Sequence, residues 1–103
     1  MNKENQKSLY SREAETLTVL LKRVRKERKL TQVDVALRLG RTQSYVSKVE
    51  QGEIMIDAVV LFLLCRAMNM PFGEFAGRFE EEWEQLPPNQ PEPTINSDPS
   101  SDG

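Results

Sequence analysis

Residues 30–52, LTQVDVALRLGRTQSYVSKVEQG, contain two short helical patterns that meet at a tight turn. In the first pattern Val33, Ala36 and Leu37 recur at helical spacing, so they predict the inward-facing side of a helix. Gly40 follows that pattern directly. A glycine just past a helix end favours a left-handed residue there, a conformation that other residues adopt only at a cost. The stretch therefore predicts two helices joined by a sharp reversal of the chain.

The second pattern begins after Thr42. A threonine hydroxyl can accept an N–H of the first turn of a helix, so Thr31 can cap the first helix and Thr42 the second. Val46 and Val49 are expected to face inward. The opposite side carries hydrogen-bonding side chains and no acid before Glu50: Gln43, Ser44, Ser47 and Lys48. Such a face can enter a DNA major groove, where base edges present donors and acceptors. A solvated face in an ordinary helical bundle is the alternative, and the turn together with its basic flank favours DNA.

Charge is divided unevenly along the 103 residues, whose net charge is −2. Residues 20–50 hold nine Lys or Arg against three Asp or Glu, a balance of +6. Residues 53–103 hold two Arg against ten acids, a balance of −8. The basic part can engage DNA phosphates, whereas the acidic part would be repelled by them. We therefore expect the acidic part to point away from the duplex.

The stretch as a whole resembles the helix-turn-helix of the Cro and lambda-repressor-like (XRE) family. The matching residues are Thr31-Gln32, Ala36, Leu39-Gly40, Thr42-Gln43-Ser44, Val46-Ser47, Val49-Glu50 and Gly52. The resemblance extends from about Leu20 to Phe79 and implies an all-α, five-helix lambda-repressor-like DNA-binding domain. It also implies a sequence-specific transcriptional regulator that reads the major groove with helix 3, about residues 43–50.

The resemblance further implies roles for single side chains of helix 3. Gln43 and Ser44 occupy the base-reading positions, and Gln can bond adenine in a bidentate manner. One turn further on, Ser47 and Lys48 are expected to read bases or to hold phosphate. Other phosphate contacts are expected at the two helix starts and at the end of helix 3, from Gln32, Arg41, Thr42 and Gln51.

Two more features follow from the same resemblance. Arg25 is expected to form a structural ion pair with Glu50, which would fix helix 1 to helix 3. Family members commonly hold a phosphate with main-chain N–H groups near Gln51. Many of them also carry cations in the following loop, whereas residues 53–56 here read Glu-Ile-Met-Ile. Fewer phosphate contacts are therefore expected from that loop.

The remaining helices are predicted from their apolar spacing. Helix 1 should run from about Arg12 to Lys29, with a stripe of Leu17, Leu20, Leu21 and Val24 and six cations in its last turns. Helix 4 should run from a cap at Asp57 to about Asn69. It is apolar almost all round, which is typical of a buried helix, so helix 5 or a second subunit would cover its surplus, including Phe62.

Helix 5 should cover roughly Phe72 to Glu84, with Phe75, Phe79 and Trp83 on its apolar side and Glu80, Glu81, Glu82 and Glu84 toward water. Beyond it, five of the six prolines lie in a segment with almost no apolar residues. We expect three parts: a flexible N-terminal arm (1–11), the helix-turn-helix domain (12–85) and a disordered, acidic, Pro-rich C-terminal tail (86–103).

Several functions lack the residues that they need. The chain has no His, and its single Cys65 leaves no partner for an internal disulfide, so a reducing cytoplasm is the expected location. We expect no catalysis, no cofactor and no metal site. The chain has no apolar run of 18 residues, so we expect no membrane span.

Two functions remain in view. The first is a regulator that binds double-stranded DNA as a homodimer through helices 4 and 5 on a palindromic operator, because one recognition helix buries little surface. The second is an antitoxin-like or adaptor interaction module, in which DNA binding is secondary and the acidic C-terminal region holds a protein partner.

Overall fold

The computed structural model describes residues 11–85, and over this range the protein is all-α. Five helices follow one another: α1 Arg12–Glu27, α2 Gln32–Leu39, α3 Gln43–Glu50, α4 Ala58–Ala67 and α5 Phe72–Gln85. The described part contains no strand, so the expected five-helix fold is confirmed. The predicted tail, 86–103, lies outside the described residues, as does all but the last residue of the predicted arm, 1–11.

Threonine caps fix the starts of α2 and α3, as the sequence predicts. The Thr31 hydroxyl accepts the N–H of Asp34 at 3.0 Å, and the Asp34 carboxylate accepts the N–H of Thr31 at 2.8 Å. This reciprocal capping box satisfies two N–H groups that the helix itself cannot bond. The Thr42 hydroxyl accepts the N–H of Tyr45 at 3.1 Å and caps α3 in the same way.

The turn between α2 and α3 is closed by Gly40. Its φ of +76° places it in the left-handed region, as expected for a glycine directly past a helix end. The N–H of Arg41 then donates to the Ala36 carbonyl at 3.0 Å. The last turn of α2 is therefore bonded while the chain reverses into α3.

Helix α1 is shorter than expected. It ends at Glu27 with Arg28 as its cap, and Lys29 adopts a left-handed φ of +59°. The N–H of Leu30 donates to the Arg25 carbonyl at 3.1 Å, which completes the helix end. No glycine marks this end, so the sequence pattern alone placed it two residues too late.

The core draws side chains from all five helices. The expected stripe of α1 is confirmed, because Leu20, Leu21 and Val24 are buried and Leu17 packs against them. The other core residues are Val35, Ala36, Val46, Val49, Leu64, Cys65, Ala67, Met68, Met70 and Phe75. This shared core holds α2 and α3 in a fixed position relative to the remaining helices.

The expected inner face of α2 is partly wrong. Ala36 is buried as predicted, but Val33 is 52 % exposed and Leu37 is 75 % exposed. The residue buried beside Ala36 is Val35, which has no exposed surface. In an eight-residue helix, helical spacing allows either Val33 with Leu37 or Val35 to lie beside Ala36 on the inner face. The packing of α2 against α3 and α4 selects Val35.

Helix α4 presents two apolar faces, of which the domain covers only one. Its inner face, including Leu64 and Cys65, lies in the core. Its outer face remains exposed at Val59, Phe62 and Leu63, so helix α5 does not cover the apolar surplus, and cover by a second subunit stays a prediction. Helix α5 supplies Phe72, whose ring meets the Phe62 ring edge-on at 5.8 Å without covering this face.

A tight turn joins α4 to α5. Asn69 adopts a left-handed φ of +58°, and the N–H of Met70 donates to the Cys65 carbonyl at 2.8 Å. Within residues 11–85, no single helix has the length and apolar character needed to cross a membrane. Helices α4 and α5 taken together have the necessary length and apolar composition, but the two helices are bent by 108° at their junction.

Helix α5 packs along α1 through both apolar and charged contacts. Phe75 is buried and Phe79 is half-buried, as expected. Glu82 does not simply face water, because its carboxylate pairs with Arg23 of α1. A second pair between Arg78 and Glu27, at 2.9 Å, also joins the two helices and lowers the pKa of the Glu27 carboxyl.

Candidate nucleic-acid interface

The polar side of α3 is open to solvent over most of its length. Gln43, Ser44 and Lys48 are exposed, and Ser47 is half-buried. Val46 and Val49 point the other way and are buried, as expected. The four residues expected to read bases therefore lie on the outer side of α3, and three of them are exposed to solvent.

A buried ion pair anchors the end of α3 to α1. Arg25 donates through Nε to Glu50 at 2.6 Å and through its second terminal nitrogen at 3.1 Å, so the pair is bidentate. Only 9 % of the Arg25 side chain and 7 % of the Glu50 side chain are exposed. The first terminal nitrogen donates to the Leu30 carbonyl at 2.9 Å. This contact was expected from the family resemblance, and it is present.

Hydrogen bonds through Gln32 connect the Glu50 carboxylate to the exposed side of α3. The Gln32 amide nitrogen donates to Glu50 at 3.0 Å, and its amide oxygen accepts from the Gln43 side chain at 2.6 Å. Gln32 was expected to hold a phosphate, and in this arrangement its amide instead joins the buried pair to Gln43. We name this chain of contacts, Arg25–Glu50–Gln32–Gln43, the glutamine relay.

Sequence reasoning predicted the Arg25–Glu50 pair but missed the contacts that Gln32 makes with Glu50 and Gln43. Gln32 and Gln43 are the first residues of two successive helices, and that shared position is the signal that could have indicated a contact between them. A glutamine amide has two N–H donors and a carbonyl acceptor. After one N–H is given to Gln32, Gln43 keeps one donor and its acceptor for another group.

The turn before α3 places a cation beside the polar face. The Arg41 guanidinium lies 4.4 Å from the centre of the Tyr45 ring, within the range of a cation–π contact. Arg41 has an exposed side chain and remains able to donate hydrogen bonds. The adjacent Thr42 hydroxyl accepts a bond as the cap of α3 and keeps its O–H to donate.

The end of α3 offers less to a phosphate than the family resemblance implies. The N–H groups of Gln51, Gly52 and Glu53 all donate to carbonyls of α3, at 3.0, 3.0 and 2.9 Å. The Gln51 amide donates to the Ser47 hydroxyl at 3.0 Å. A main-chain phosphate contact at Gln51 is thus not available in this conformation, and only its exposed side-chain amide remains.

The cations near the end of α1 fall into two groups. Arg23 and Arg25 are paired with carboxylates, and Arg28 donates to the Met70 sulfur at 3.4 Å. The other three are exposed lysines: Lys22, Lys26 and Lys29. Among the cations of residues 20–50, which are expected to engage DNA phosphates, these lysines are exposed for that role.

The described residues show little that catalysis could use. Burial raises the pKa of the Cys65 thiol to about 11, so the thiol stays protonated and unreactive at neutral pH. Among residues 11–85, no three side chains of the metal-binding types come together. The polar face of α3 and its basic surroundings have a chemistry suited to nucleic acid.

Comparison with known proteins agrees with this geometry. The family model described as helix-turn-helix matches residues 21–75. The solved structure of the wild-type restriction-modification controller protein C.Esp1396I is similar, with 20 % identity over 73 % of this chain and 99 % of that one and a TM-score of 0.69. At that identity it supports the fold alone.

A second solved structure is an XRE-family like protein from Pseudomonas syringae pv. tomato str. DC3000. Its identity is 29 % over 76 % of this chain and 95 % of that one, with a TM-score of 0.67. No curated protein sequence matches the chain. Because the family model covers more than half of its residues, the chain belongs to the helix-turn-helix family, as an XRE-type DNA-binding transcriptional regulator.

Proposed function

We propose that the protein binds a palindromic operator as a homodimer and reads base edges in the major groove with α3. The observation that carries this proposal is the exposed polar face of α3, with Gln43 held at its start by the glutamine relay. A side chain that is already oriented loses less conformational freedom on binding than a free one. Gln43 is therefore the residue from which we expect most base discrimination.

Gln43 fits adenine best. Its remaining N–H can donate to adenine N7 while its carbonyl accepts from adenine N6, which is the bidentate pairing of an amide with this base. Ser44 is exposed beside it and has a shorter reach. Ser47 already accepts a bond from Gln51, so we expect a smaller contribution to base reading from Ser47.

We expect phosphate binding from groups around the polar face of α3. Arg41 and Thr42 precede the start of α3, and Lys48 lies about one turn after Ser44 on the exposed side of the helix. Gln32 and Gln51 remain candidates through side-chain amides that already hold intramolecular bonds. These contacts fix orientation and supply affinity that depends on salt, without selecting a sequence.

The outer face of α4 supports a homodimer. We name the outer patch from its exposed apolar residues, Val59, Phe62 and Leu63 of α4 and Phe72 of α5. On α5, a side chain added at Gly73 or Gly77 would meet nothing within 4 Å, so these two positions are open to solvent. Exposed apolar residues gathered on one surface favour association, and a two-fold dimer would cover both copies alike.

The dimer is tested by sedimentation of the full chain at about 10 μM, a concentration at which a micromolar dimer is mostly assembled. We expect a dimer for the wild type and a monomer for Val59→Glu, because the charge would be buried without a partner. Leu37→Glu is the matched control, since Leu37 is an exposed apolar residue of α2 outside the outer patch. A monomeric wild type, with and without DNA, would refute the dimer.

The operator is tested by selecting bound duplexes from a random library. We expect a palindrome whose half-sites lie about one helical turn apart, because the two recognition helices of a dimer enter successive major grooves. A winning sequence without two-fold symmetry would contradict the proposal.

A protein partner is the second candidate function. Glu80, Glu81 and Glu84 form an exposed acidic side of α5 that no described cation is seen to pair with. That side would suit a basic partner, as an antitoxin or adaptor requires. The library selection separates the two functions: if no sequence is enriched at low salt, α3 is only a scaffold and the acidic side becomes the functional surface.

A further inference from the structure

A surface cavity of about 420 Å³ lies where the C-terminal ends of α2 and α4 meet. It is lined by Arg38, Leu39, Leu63, Arg66, Ala67 and Asn69. Cavities of this size accept small molecules, and they do so with apolar walls and a few polar groups. Here Leu39 and Leu63 provide the apolar wall, while two arginines and one asparagine provide the polar groups.

The two arginines differ from most others of the described chain. Arg23, Arg25 and Arg78 each pair with a carboxylate. Arg38 donates one hydrogen bond to the Ala67 carbonyl, at 2.8 Å, and Arg66 lies 5.7 Å from the Phe62 ring. A guanidinium has five N–H donors, so both keep donors for an anion.

No acid lines the cavity. The nearest acid along α2 is Asp34, one turn before Arg38, and the Arg38 charge contributes to lowering its pKa. Its carboxylate is already bonded to the Thr31 N–H at 2.8 Å as part of the capping box. Two cations therefore share one cavity without a carboxylate between them, and an anion would relieve their mutual repulsion.

We propose that this cavity binds a small organic anion, a carboxylate or phosphate with a short apolar part. The planar guanidinium fork of Arg66 suits two oxygens of either group. Arg38 is held in place by its bond to Ala67, so it offers its free N–H groups from a fixed position. Leu39 and Leu63 would contact the apolar part, and the exposed Asn69 amide can donate a further bond.

The cavity and the polar face of α3 have no residue in common, because the cavity lining comes from the ends of α2 and α4 and from Asn69. Leu63 belongs to both the cavity and the outer patch, so a bound anion can affect dimerisation. That consequence rests on the proposed function, whereas binding of the anion does not.

Binding is tested by amide NMR of the full chain without DNA, titrated with phenyl phosphate and separately with phenylacetate. The range extends to about 20 mM, above the roughly millimolar dissociation constant typical of such small ligands. We expect saturating shifts at Leu63, Ala67 and Asn69 with one or both anions, and none with benzyl alcohol. The anion that saturates at lower concentration identifies the preferred group.

Arg66→Gln is the test variant, because Arg66 is exposed and its loss should leave the fold intact. We expect it to weaken binding at least about tenfold, the effect of one lost charge-assisted bond. Arg41→Gln is the matched control, an exposed arginine that also lies over an aromatic ring, and it should bind as the wild type does. Shifts that fail to saturate, or that survive Arg66→Gln, would overturn the proposal and leave the DNA-binding assignment untouched.

Discussion

Single residues decide how firmly α3 is held. Arg25 and Glu50 are almost completely buried, and each has several hydrogen-bond partners, so their charges are compensated inside the protein. A buried pair gives little net stability compared with apolar residues, but removing one partner leaves the other charge uncompensated. Because Glu50 also bonds Gln32, disturbance of the pair extends to Gln43 on the DNA-reading side.

Arg25→Met therefore tests the pair. We expect the free energy of unfolding to fall by about 3–5 kcal/mol, measured by urea denaturation, because the Glu50 carboxylate stays buried. Arg23→Met is the matched control, since its pair with Glu82 is partly exposed and such pairs contribute about 0–1 kcal/mol. Equal losses in the two variants would show that burial does not govern the contribution of the pair.

For the short helices α2 and α3, the sequence predicted the caps and one contact correctly but not the inner face of α2. The threonine caps, the left-handed Gly40 and the Arg25–Glu50 contact were all expected and are present, because local chemistry or the family pattern specifies them. The inner face of α2 was not correctly expected, since Val33 and Val35 fit helical spacing equally well. Only the position of α3 and α4 relative to α2 decides between them.

Two variants test that assignment of the α2 face. Val35→Ala should lower the free energy of unfolding by about 2 kcal/mol, because it removes buried methyl groups and leaves a cavity. Val33→Ala should change it by less than about 0.5 kcal/mol, since Val33 is half exposed. Thermal or urea unfolding of both variants decides the matter, and a larger loss at Val33 would reverse the assignment.

At the scale of the whole molecule, the described chain divides into faces with different chemistry. One face carries the polar side of α3 and the cations around it, and another carries the apolar outer patch of α4 and α5. The sequence predicted this division, because the distribution of charged residues and the spacing of apolar residues follow directly from the sequence. It did not predict the part of the glutamine relay that runs through Gln32, whose amide contact with Gln43 joins residues eleven positions apart in two helices.

The most direct measurement is the DNA-binding affinity of the wild type, Gln43→Ala and Lys48→Ala at several salt concentrations. Each protein is tested on the selected duplex and on a duplex with a single changed base pair in each half-site. For Gln43→Ala we predict a loss of discrimination of about 1–3 kcal/mol per half-site at one position, with an unchanged salt slope. For Lys48→Ala we predict weaker binding to both duplexes and a salt slope smaller by about 1 per subunit. If Gln43→Ala keeps the full sequence preference of the wild type, α3 does not read bases through Gln43.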